Sequence, residues 1–103
     1  MNTPLYKQAF PNFDYELPLH ELTNFGFDDC SWHNDACPIF INSGTNSYAI
    51  FFNYQDPNLR ELGSEDLPLI TVSPMEDGTI SDCVIYKCNS LGNLSSWLRA
   101  NIS

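Results

Sequence analysis

Positive charge is what this chain has least of. Four Lys and Arg residues stand against thirteen Asp and Glu in 103 positions, a formal net charge of -9. A surface so poor in cations repels phosphate backbones and anionic membranes, so direct nucleic-acid binding and membrane association are excluded and a basic protein partner is favoured. Long apolar runs are missing as well. No stretch approaches the roughly 20 residues needed to cross a bilayer. The start, Met1-Asn2-Thr3-Pro4-Leu5, has no basic region followed by an apolar run, which predicts no secretory signal and a cytoplasmic protein. There is neither a glycine-rich phosphate loop nor a serine-hydrolase elbow, and nothing demands a cofactor.

Core-forming residues, by contrast, are plentiful. Apolar residues make up 43% of the chain and aromatics 14%, too much for a disordered segment in spite of the charge. The length predicts one domain over 1–103 with a single core. Residues 1–36 show no clear period. Tyr6, Phe10, Phe13 and Tyr15 alternate with Pro4, Pro11, Asn12 and Asp14, which predicts an extended, irregular arm whose rings pack onto a larger body. Pro18 can open a short helical turn over Leu19 to Leu22, and Gly26 with Asp28-Asp29 reads as a break.

From residue 38 the pattern is that of β-structure. The run Pro38-Ile39-Phe40-Ile41 ends in the turn formers Asn42-Ser43-Gly44-Thr45-Asn46. A strand over 47–55 puts Tyr48, Ile50, Phe52 and Tyr54 on one face and Ala49, Phe51 and Asn53 on the other. With both faces largely apolar, this strand should be central, covered by a helix on one side and by the arm on the other. Asp56-Pro57-Asn58 stops the ladder, and a long loop follows through Asp66. A third strand near 67–75, the turn Asp77-Gly78 and a fourth strand over 79–88 complete a meander. In the last segment, 90–103, Ser90 is placed to cap a helix in which Leu91, Leu94, Trp97, Leu98 and Ile102 form an apolar stripe that buries Trp97. The expected fold class is α+β: a four-stranded antiparallel β-meander over 38–88 backed by one C-terminal α-helix, with an irregular N-terminal arm. An open meander has edge strands, so self-pairing into a homodimer is one way to cover them.

The segment Trp32-His33-Asn34-Asp35-Ala36-Cys37-Pro38-Ile39-Phe40, followed by a strand and then by Tyr54-Gln55-Asp56-Pro57 with Arg60-Glu61, resembles a pattern in small proteobacterial proteins of unassigned function carried on plasmids and prophages. The similarity covers about half of the chain. It implies a mobile-element setting and no particular chemistry.

Two chemical constellations can be weighed from the residues themselves. Cys30, His33 and Cys37 offer soft ligands within eight positions, a candidate for zinc. A fourth ligand is hard to find, since Cys83 and Cys88 are an odd number apart and point to opposite faces of a regular strand. The default is therefore no metal and free thiols. A Cys-His nucleophile drawn from Cys30 or Cys37 with His20 or His33 would sit beside Asp28, Asp29 and Asp35, which oppose thiolate formation. No catalytic residue is assigned.

The carboxylates fall into two stretches. One runs from Asp14 through Glu16, Glu21, Asp28, Asp29 and Asp35; the other comprises Asp56, Glu61, Glu65, Asp66, Glu76 and Asp77. Gathered on one edge, they would imitate duplex phosphates and occupy a basic channel. The contact residues expected on this reading are Asp28, Asp29, Asp35, Asp56, Glu61, Glu65, Asp66, Glu76 and Asp77. Trp32 is either an interface anchor or, by the blander reading, packed under the sheet edge. The function that follows is a non-enzymatic inhibitor of a basic nucleic-acid-binding host machine, of the anti-CRISPR or anti-restriction type. Alternatives are an immunity protein that neutralises a cognate toxin and a small zinc-binding module.

Overall fold

The computed structural model describes residues 4–32, 37–42, 47–60 and 68–102. Its elements are α1 (Leu5–Ala9), α2 (Leu19–Asn24), β1 (Phe27–Asp29), β2 (Ile39–Asn42), β3 (Tyr48–Phe52), a 3-10 turn at Pro57–Leu59, β4 (Ile70–Glu76), β5 (Thr79–Ile80), β6 (Tyr86–Cys88) and α3 (Leu91–Asn101). All pairings are antiparallel, in the order β1-β2-β3-β4, with β5 and β6 both lying against β4. The α+β class and the C-terminal helix are as expected; among the described residues the sheet has six strands instead of four.

Both extra strands follow from what the adjacent strand offers. Asp28 and Asp29, read from the sequence as a break, belong to β1, which pairs residue for residue with β2 from Phe27↔Asn42 to Asp29↔Phe40. Pairing with an apolar neighbour overrides the low strand propensity of Asp. Gly26, at φ +85°, makes the sharp turn from α2 into this strand. The expected fourth strand is interrupted. Between the pairs Met75↔Ile80 and Val72↔Tyr86, β4 advances three residues while its neighbour advances six. Pro74 sits at that point: its carbonyl accepts the Ser81 N–H at 2.9 Å, but it has no amide proton to return, so regular pairing lapses over 82–84 until the Ile85 N–H meets the Val72 carbonyl.

The hairpin between β4 and β5 follows its sequence signal. Asp77 and Gly78 both have positive φ, 52° and 80°, the signature of a type I′ turn whose twist matches that of the strands. A Cβ built on Gly78 meets nothing within 4 Å, so Gly78→Ala costs only backbone strain. The expected loss is about 1–2 kcal/mol, measured as a shift in the urea midpoint at unchanged slope.

Helix α3 also follows its sequence. The Ser90 hydroxyl accepts the Asn93 N–H at 3.1 Å, and Leu94 and Leu98 are buried. Trp97 is half-buried, not buried: its ring stacks on Tyr86 and meets Tyr48 edge-on at the margin of the sheet.

The N-terminal segment departs most from expectation. It carries two helices, and it shares a sheet face with α3 instead of covering the opposite one. Tyr6, Leu17 and Leu22 belong to the same core cluster as Phe27, Phe40, Ile50, Phe52, Ile70, Val72, Leu94 and Leu98. Alternation along β3 puts Ile50 and Phe52 on this face. Tyr6 is fully buried, packing against Phe13 and Phe40. The arm is also stitched to the end of β3: Asp14 accepts the Gln55 and Asp56 N–H groups, and the Tyr15 hydroxyl donates to the Asn53 carbonyl. At its far end, Ser95 of α3 donates to the Glu21 carboxylate of α2.

Candidate functional site

Helix α1 has two faces. Tyr6 turns inward to the core, while Leu5, Gln8 and Ala9 occur at i, i+3 and i+4 and share the outward face. That face forms one wall of a groove whose other wall is Ser31 and Trp32, enclosing about 570 Å³. Leu5 is 46% exposed and Trp32 56%. The blander reading of Trp32, packed beneath the sheet edge, is thus replaced by one in which its indole lines an open groove.

Asp29 holds the two walls together. One carboxylate oxygen accepts the Tyr6 N–H of α1 at 2.8 Å and the other accepts the Ser31 N–H at 3.1 Å. Ser31 is itself buried, and its hydroxyl accepts the Ile39 N–H of β2. The groove is therefore fixed to the sheet through charge-assisted hydrogen bonds.

The expected contact carboxylates are dispersed. Asp28 is exposed on β1, the edge strand leading to the groove. Asp29 is half-buried and occupied internally as described. Asp56 lies past the Phe52 end of β3, where it accepts the Asn58 N–H. Glu76 and Asp77 are exposed at the turn beyond the opposite end of β4. The six residue steps from Ile70 to Glu76 span about 20 Å at strand rise, so Asp56 and the Glu76-Asp77 pair do not share a patch. Asp35, Glu61, Glu65 and Asp66 lie outside the described residues. Glu16, from the first acidic stretch, is joined to Lys7 at 2.7 Å, which holds its carboxyl below the ordinary glutamate range. Because its pKa is depressed, this link is in place at neutral pH and is lost as pH falls through the lowered value.

No three His, Cys, Asp or Glu side chains come together as metal ligands among the described residues. Cys30 is exposed, Cys37 is buried, and His33 lies outside the described residues. Cys83, exposed on the bulge, and Cys88, buried, are separated by the break in the edge strand. Partial burial, followed by the charge of Asp28, pushes the Cys30 thiol above its ordinary pKa, leaving it protonated and weakly nucleophilic near neutrality. Alkylation of Cys30 at pH 7.5, followed by mass spectrometry, is expected to run slower than that of an unperturbed thiol and to accelerate as pH rises. A faster rate would contradict this electrostatic picture.

Sequence reasoning singled out Trp32, which lines the groove, but not Leu5, Gln8 and Ala9. Pro4, a residue suited to a helix start, was the one local signal. Comparison with family models, with curated proteins and with solved structures finds no match to this chain.

Proposed function

We propose that this protein is a non-enzymatic acidic interaction protein that inhibits a basic, nucleic-acid-binding partner, in the setting of a mobile genetic element. The observation that carries the reading is an exposed tryptophan groove on a chain of net charge -9. Large aromatics anchor interfaces, while dispersed carboxylates set the rate and the choice of partner. A partner evolved to hold phosphates supplies the complementary cations. The raised Cys30 thiol is poorly suited to act as a nucleophile.

The test is capture from a bacterial host lysate on the immobilised protein, followed by elution with salt and competition with duplex DNA. The expected partner is basic, is released between about 50 and 500 mM salt as screening lengths shorten, and is displaced by DNA. Retention indifferent to both would overturn the reading. A captured toxin that DNA does not displace would replace it with immunity.

A further inference from the structure

We infer that the groove between α1 and Ser31–Trp32 receives an arginine side chain from a basic segment of the partner. This deepens the function proposed above and rests on it. The groove is apolar where Leu5, Ala9 and the Trp32 ring form its walls, and among the described residues none that lines it is cationic. Lys7, the one cation on α1, is drawn to Glu16 at 2.7 Å. The segment that carries Trp32 also brings Asp29, whose carboxylate ties the walls together, and the chain as a whole carries a net charge of -9. An aliphatic wall in a negative field suits a side chain with a methylene stem and a cationic head. Acidic or phosphorylated segments are repelled by the same field.

Arginine meets this description better than lysine. Its guanidinium is planar, weakly hydrated and stacks on indole, whereas an ammonium holds its water more tightly. The walls need little rearrangement to receive it. Tyr6 on the inner side of α1 is fully buried and its amide is held by Asp29, so the ordering cost of binding falls mainly on the partner.

The experiment titrates tetra-arginine and tetra-lysine, equal in charge, into the full chain while following the Trp32 indole N–H by NMR. Trp32 fluorescence in a Trp97→Phe variant provides a second readout. Tetra-arginine is expected to shift Trp32 saturably and to bind several-fold more tightly than tetra-lysine. Trp32→Ala should weaken it about tenfold or more, within the range of interface anchors. Val84→Ser with Ile85→Ser, remote on the bulged edge, should leave it unchanged. Equal affinity for the two peptides, with no effect of Trp32→Ala, would overturn the arginine site while leaving the acidic-surface reading intact. That reading fails separately, through salt-indifferent capture in the lysate experiment.

Discussion

Replacing Tyr6 with alanine is expected to lower the unfolding free energy by about 3–5 kcal/mol, the range for a large aromatic removed from a packed core. Domains of this size have only about 5–15 kcal/mol in total, so the variant should approach the unfolding threshold. The ring is fully buried and contacts Phe13 and Phe40. Its hydroxyl accepts the Leu17 N–H and donates to Glu16. Tyr6→Phe keeps the ring and strands only that amide, so its expected cost is about 1–2 kcal/mol. Urea unfolding followed by circular dichroism separates the two variants. Equal midpoints for Tyr6→Ala and the wild type would mean that α1 does not belong to the cooperative core.

The second large effect is expected at Asp29. Asp29→Ala removes the acceptor of two backbone N–H groups, one on each wall of the groove, at a cost of about 2–3 kcal/mol. Asp29→Asn retains one carbonyl oxygen and should recover part of that loss. The neighbouring Asp28 is exposed and should respond differently: Asp28→Asn is expected to change stability by less than about 0.5 kcal/mol. Adjacent carboxylates that look interchangeable in the sequence thus divide into a structural one and one free to meet a partner. Equal destabilisation by the two asparagine variants would refute this division.

What could be read in advance was what neighbouring residues decide among themselves. The alternation from Tyr48 to Phe52, the Asp77-Gly78 turn and the Ser90 cap with its apolar stripe each carry their own instructions, and each forms as expected. Three features depend on partners distant in the chain and were not legible. Strand β1 exists because Ile39–Asn42 pairs with it. Helix α1 has five residues, too few to show a period, and is held by Tyr6 in the core. The break after Ile80 follows from Pro74, which lies in the adjacent strand and affects its neighbour's ladder. The candidate site shows the same limit. Charge and Trp32 were visible, but which carboxylates would be consumed by backbone amides depended on where those amides came to rest.

The interrupted outer strand has a further consequence for how copies of the chain meet. A continuous apolar rim would let successive copies zip together into filaments as their concentration rose. Here Pro74 withholds a donor and the bulge displaces the rim, while the opposite border is only three residues long and carries Asp28. Such borders disfavour edge-to-edge pairing of strands, although Val84 and Ile85 leave apolar side chains exposed on the bulged one.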